Sequence, residues 1–283
     1  MQTIASPLDM SAWSEAERTA GRRIALVPTM GFLHRGHASL IEAARQRADR
    51  VILSIFVNPL QFGPQEDLAR YPRDFERDRK LAETHGVDVI FAPTAEAMYP
   101  EGFETHVEVE QLTRGLCGAS RPSHFRGVTT VVAKLFHQTR PHLATFGEKD
   151  FQQLAAIRRM VRDLDFGIEI VACPTVREPD GLALSSRNSY LDATERRAAI
   201  CVPRALEAAR ELYAAGERDS LRLVAAARRV IGDERLAHID YVSVVDAESM
   251  TEIATADSPA LLAIAVRVGK TRLIDNCVLG RDA

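Results

Sequence analysis

The stretch IALVPTMGFLHRGHASLIEAARQRA (residues 24–48) packs a strand, a tight turn and a helix into one run. IALVP (24–28) is short, aliphatic and ends at a turn signal, which predicts a buried strand. HASLIEAARQRA (37–48) places Leu40, Ile41 and Ala44 on one helical face. Between them, Gly31 and Gly36 allow a tight turn with close backbone approach, and the start of the helix offers free N–H groups to an anion. A strand feeding a helix in this way is the first half of a βαβ unit.

The same rhythm continues outward. VILSIFV (51–57), stopped by Asn58-Pro59, and VDVIFAP (87–93) read as strands, with a charged helix over 74–85 that Gly86 terminates. Val128–Phe136 reads as helix, HLATFG (142–147) as strand, 149–165 as an Arg-rich amphipathic helix and IEIVACPTV (168–176) as the last strand of the series. This alternation predicts an α/β fold with a Rossmann-like, doubly wound parallel sheet, whose ligands bind at the carboxyl ends of the strands. After about residue 177 the order changes. Two Ala/Arg-rich helices (roughly 193–214 and 219–232) precede the runs HIDYVSVVDA (238–247), ALLAIAVRVG (260–269) and TRLIDNCVLG (271–280). That pattern predicts a second, smaller α+β domain, with the chain divided as 1–175 and 176–283.

Composition narrows the function classes. The 283 residues carry 36 Lys+Arg against 39 Asp+Glu, a formal charge of −3, with 46% hydrophobic and 27% charged residues. That balance excludes a disordered chain and argues against a nucleic-acid binder, which needs a basic excess. No apolar run reaches the ~18–20 residues that span a bilayer, and the start MQTIASPLDMSAWSEAERTAG does not read as a signal peptide. The four cysteines (Cys117, Cys173, Cys201, Cys277) show no CxxC pairing, which fits reduced thiols in a cytoplasmic protein. Cys117 and Cys173 read as small buried hydrophobes.

The chemistry is concentrated in PTMGFLHRGH (28–37). The spacing Gly31-x4-Gly36 is nearly that of a P-loop, but His37 stands where Lys is required. Gly269-Lys270-Thr271 fails as well, because position 264 is Ile. His34 and His37 at a strand-to-helix turn are open to three readings: metal ligands lacking nearby third and fourth partners, ordinary capping histidines, or donors to a nucleotide phosphate as charge builds on it. The His-x-Gly-His pattern resembles that of nucleotidyltransferases that adenylate their substrates, and the longer string resembles the pantoate–β-alanine ligase family. SIFVNPLQF (54–62), SRPSHFRGV (120–128), FGEKDFQQL (146–154) and DGLALSSRN (180–188) are similar to segments of that family, in its order, and the likeness extends from residue 22 to TRLIDN (271–276). Two departures stand out: Ser123 where the family usually has Gly, and His142 where an acidic or amide residue is common.

The resemblance implies a two-step reaction. Pantoate's carboxylate attacks the α-phosphate of ATP to give pantoyl adenylate and pyrophosphate, and the amine of β-alanine then displaces AMP. It assigns His34, His37, Lys149 and Arg187 to catalysis. ATP binding falls to Met30, Gly31, Gly147, Asp150, Val176, Leu184, Ser185 and Ser186 together with those four. Asn58, Gln61 and Gln153 are implied for pantoate, and Gln61, Arg121 and His124 for β-alanine. It further implies Mg²⁺ accompanying the triphosphate with no protein metal ligands, a homodimer, and a C-terminal domain that closes over the ATP site. Blander readings stand beside these: Gln153 as solvated helix surface, Asp150 as a complement to the helix dipole, and Arg158, Arg159 and Arg162 as a solvated face. His85, His106, His137 and His238 have no supporting constellation. Two other functions fit the same loop, an adenylyltransferase that makes a dinucleotide cofactor and a nucleotide-binding regulatory module. The first leaves Asn58, Gln61 and Gln153 unexplained, and the second would bind ATP without turnover.

Overall fold

The structure, a computed structural model, describes residues 1–64, 66–257 and 259–281. It divides into two compact units: one formed by 1–110, 121–148 and 153–174, the other by 111–120, 149–152 and 175–283. Two short segments from the first half of the chain, 111–120 and 149–152, thus belong with the C-terminal residues.

The larger unit contains strands β1 (Gln2–Ile4), β2 (Ile24–Thr29), β3 (Arg50–Ile55), β4 (Val89–Phe91), β5 (Leu143–Gly147) and β6 (Glu169–Cys173). Among the described residues they form one parallel sheet in the order β1-β4-β3-β2-β5-β6. The order reverses between β2 and β5, which is the switch point at which such sheets bind ligands. Strand periodicity sorts the core into two layers. Ile24, Leu26, Ile52, Val89, Phe91 and Ala144 point into one cluster with Met10 of α1 (Pro7–Thr19) and apolar residues of α6 (His124–Thr139) and α7 (Phe151–Asp163). Ala25, Val27, Val51, Leu53, Ile90 and Leu143 point the other way, against α2 (Arg35–Arg45) and α3 (Phe75–Thr84). The short helix α4 (Ala95–Met98) completes this unit.

The smaller unit contains α5 (Cys117–Ser120), α8 (Ala193–Ala198), α9 (Cys201–Ala214) and α10 (Ser220–Gly232). An antiparallel sheet, β7 (Ala237–Asp246), β8 (Ala260–Val268) and β9 (Thr271–Val278), follows. Its core joins Leu206, Ala209, Leu223 and Ile231 to Val242, Ile264 and Leu273. Among the described residues no helix is long and apolar enough to cross a membrane.

Several elements differ from the sequence reading, each for a local reason. β1 and α1 were not anticipated: QTI is too short to show a period, and α1 buries only Met10 and Ser14. The helix expected over 193–214 is two helices, and the second restarts just ahead of Pro203, which is tolerated in a first turn but not in a helix interior. α7 starts at Phe151 because Glu148–Asp150 form a 3₁₀ turn. α6 begins four residues before Val128, with Gly127 inside it.

The two family departures also find their reasons. His142 Nδ1 accepts the Ile24 N–H at 3.0 Å, as a carboxylate or amide oxygen could. Ser123 sits at φ +68°, the left-handed region that favours glycine, and its side chain makes no cap hydrogen bond to α6. Ser123→Gly is therefore expected to stabilise the protein by about 0.5–1 kcal/mol, the relief of strain exceeding glycine's larger unfolded-state entropy. A rise in the urea midpoint checks this.

Candidate active site

The loop after β2 is shaped by a buried carboxylate. Gly31 adopts φ +82° and Phe32 φ +51°, and the Phe32 and Leu33 N–H groups both donate to Asp78 of α3 at 2.7 Å. A Cβ on Gly31 would lie 3.0 Å from Asp78 Oδ2 and 3.2 Å from Ile55 Cγ2, a tight fit that adds to the demand of the left-handed φ for glycine. Burial pushes the Asp78 carboxyl above its ordinary value, against the two backbone N–H groups that favour the ionised form. The sequence reading missed Asp78 because the helix over 74–85 read only as charged, with no residue of it singled out. The available signal was a carboxylate four residues from Ala82, on the one face of α3 that is buried.

This clamp sets the start of α2, where His34 is the N-cap. Gly36 N–H donates to His34 Nδ1 at 3.1 Å, and His34 N–H donates to His37 Nδ1 at 3.2 Å. The rings lie 4.1 Å apart between centroids. Because each Nδ1 accepts from backbone, the neutral rings carry their proton on Nε2. The capping and phosphate-donor readings are thus compatible: one nitrogen of each ring closes the helix end and the other is an N–H donor. Among the described residues no group of three or more His, Cys, Asp or Glu is placed to hold a metal ion.

After β3, Asn58 caps a 3₁₀ turn over Pro59–Gln61. Its Nδ2 donates to Gln61 Oε1 at 3.0 Å and to the Gly127 carbonyl at 3.1 Å, while its Oδ1 accepts from Tyr99 Oη at 2.7 Å and Leu60 N at 3.3 Å. Asn58 is buried, and its polar atoms act on Gln61. Gln61 Nε2 lies 3.1 Å from Met30 Sδ, a weak acceptor that a substrate hydroxyl or carboxylate would replace. Tyr99, which the sequence reading did not single out, locks Asn58; burial raises its hydroxyl pKa well above the ordinary value. Gln153 is half-buried on α7, between the core residues Gln152 and Leu154.

Arg121 and His124 flank the same turn. Arg121 grips Glu66 with Nε and Nη2, both at 2.6 Å, and reaches His124 Nε2 at 3.0 Å, while His124 Nδ1 lies 2.8 Å from the Gln61 carbonyl. Burial raises the Glu66 carboxyl, but hydrogen bonding and charge from Arg121 outweigh it and leave the pKa below its usual value. Glu66 was also missed; nothing local to its sequence marks a partner 55 residues away.

The second group of expected residues lies in the smaller unit. Leu184 N–H bonds the Val176 carbonyl at 3.0 Å and Glu178 N–H the Leu182 carbonyl at 2.8 Å, making a small hairpin around Gly181. It leads into Ser185, whose hydroxyl accepts the Arg187 N–H at 3.3 Å and starts the 3₁₀ turn Ser186–Tyr190. Arg196 pins the hairpin through Glu178 and Asp180, each at 2.8 Å. Lys149 is largely buried and lies 3.6 Å from Asp150 Oδ2. Gln152 ties down the 111–120 segment by bonds to Leu112 O, Gly115 O and Cys117 N. Met30, Gly31, His34, His37 and Gly147 thus belong to the larger unit, and Lys149, Asp150, Val176 and Leu184–Arg187 to the smaller.

Comparison with known proteins places the chain in a family. Residues 2–278 match the family described as Pantoate-beta-alanine ligase. A pantothenate synthetase of Geobacter sulfurreducens is 57% identical over 282 residues, covering 100% of both chains. A crystal structure of the pantothenate synthetase of Thermus thermophilus superposes with a TM-score of 0.94 at 47% identity, covering 98% of this chain and 99% of that one. The pantoate-beta-alanine ligase of Francisella tularensis, crystallised with Beta-gamma ATP and Beta-alanine, matches with a TM-score of 0.81 at 33% identity over 98% of this chain and 97% of that one. The chain belongs to the pantoate–β-alanine ligase family.

Proposed function

We propose that the protein condenses pantoate with β-alanine at the expense of ATP, through pantoyl adenylate, giving pantothenate, AMP and pyrophosphate. The observation that carries this reading is the His34–His37 pair at the start of α2, each imidazole turned by its backbone bond to keep an Nε2–H donor. Family membership and the ATP and β-alanine named for the Francisella tularensis relative support it.

In the first step a pantoate carboxylate oxygen bonds to the α-phosphorus. The bond from phosphorus to the bridging oxygen breaks, and pyrophosphate leaves with the electron pair. Two anions meet, so the residues must offset charge: His34, His37, Lys149 and Arg187 as cations or N–H donors, Ser185 and Ser186 as neutral donors. Met30, Gly31, Gly147, Asp150, Val176 and Leu184 hold the nucleoside portion. Gln61 and Gln153 recognise pantoate, with Asn58 acting through Gln61. In the second step the β-alanine nitrogen bonds to the acyl carbon, AMP leaves and the amine loses a proton. Gln61, Arg121 and His124 serve β-alanine in this reading. That places the Glu66–Arg121 pair in competition with the β-alanine carboxylate. Mg²⁺ enters on the triphosphate itself, whose oxygens suit it, and no protein ligand is assigned to it. A cytoplasmic homodimer completes the proposal.

Product analysis tests it. Purified protein with ATP, pantoate and β-alanine is expected to form AMP and pyrophosphate in equal amounts with pantothenate; ADP and phosphate as products would sink the adenylate route.

A further inference from the structure

β9 carries the string TRLIDN (271–276), to which the reaction above gives no role. Its residues Asp275 and Asn276 are adjacent and so face opposite sides of the sheet. Each holds a segment that bears reaction residues. On one side, the Asp275 carboxylate, its side chain 1% exposed, takes a forked pair of bonds from Arg177 at 2.6 Å and 3.1 Å. The same guanidinium donates to the Gly181 carbonyl at 3.0 Å. It therefore ties β9 to the hairpin that leads into Ser185–Arg187. On the other side, Asn276 Nδ2 donates to the Lys149 carbonyl at 2.9 Å, anchoring the backbone of that lysine.

Stability alone does not call for this arrangement, since a buried ion pair often adds no more than an apolar pair of similar volume. Its geometry does serve the chemistry: one rigid strand sets the backbone of Lys149 and of the Ser185–Arg187 loop together. Misplacing charge-stabilising groups by about 1 Å can cost about 10² in rate. We infer that Asp275 and Asn276 are positioning residues for the triphosphate-handling groups, an inference that rests on the proposed ligase reading.

Asn276→Ala and Asn276→Asp test it in the full chain. Aspartate keeps the shape, but its carboxylate cannot donate to the Lys149 carbonyl. Both variants are expected to slow pantoate-dependent exchange of labelled pyrophosphate into ATP by about tenfold or more, while the reaction of isolated pantoyl adenylate with β-alanine stays within about threefold of wild type. Recovery of wild-type exchange in Asn276→Asp, or an equal fall of both half-reactions, overturns the positioning role. Asp275→Asn keeps volume and removes charge. It is expected to raise the KM for ATP about fivefold at unchanged KM for β-alanine, and an unchanged KM for ATP counts against the inference. Wild-type protein in the same assay separates the two levels: no exchange at all refutes the ligase reading, whereas wild-type exchange with unaltered variants refutes only the role of β9.

Discussion

Replacing His37 with alanine is expected to lower kcat for pantothenate formation by about 10²–10³, the usual cost of one donor aimed at developing charge. ATP binding should persist, because the other groups assigned to the nucleotide remain. Two functions are removed at once. His37 Nδ1 accepts the His34 N–H, and its Nε2–H is the donor assigned to phosphate. His37→Asn separates them, since an amide oxygen can take the backbone N–H while the side chain is too short to replace Nε2. Asn is expected to restore the thermal midpoint to near wild type and leave the rate low. A rate restored together with the midpoint would mean that His37 merely caps α2. Retained ATP binding with lost turnover would also set aside the regulatory-module reading, in which turnover plays no part.

Gly127→Ala is expected to do comparable damage by a different route. Gly127 lies inside α6 where the Pro59–Gln61 turn crosses it. A Cβ there would run into the carbonyl of Leu60 and lie 2.7 Å from the Gln61 nitrogen. These are backbone atoms, so no side-chain rotamer can relieve the overlap. The helix and the turn must part, which also strains the Asn58 Nδ2 bond to the Gly127 carbonyl. Overpacking of this kind costs about 3 kcal/mol. The protein should melt earlier, and the KM for pantoate should rise more than the KM for ATP, because Gln61 moves with the turn. A melting midpoint within experimental error of wild type would contradict the close approach.

These residues show where sequence reading succeeds and where it stops. The alternation of Ile24 and Leu26 with Ala25 and Val27 announces a strand buried on both faces, and the repeated strand–helix rhythm announces the parallel sheet. The glycines and histidines of residues 31–37 were readable because turn and cap chemistry is local. Gly127 was not: it stands just before the helix expected from Val128, and nothing marks it until the turn it accommodates, more than 60 residues earlier, is in place. Asp78, Glu66 and Asp275 were equally opaque. Each is a charged residue whose partner is distant in sequence (Leu33, Arg121 and Arg177), and an isolated carboxylate looks the same whether it is solvated or clamped. The 111–120 segment was hidden for the same reason, since its fastening to Gln152 is a matter of tertiary placement.

In the proposed reaction the His34–His37 loop supports transfer of AMP to pantoate. Incubation with ATP, Mg²⁺ and labelled pyrophosphate, without β-alanine, tests it directly. Label is expected to enter ATP only when pantoate is present, at a rate lowered about 10²–10³ in His37→Ala. Exchange that ignores pantoate, or that requires a mononucleotide instead, would contradict it.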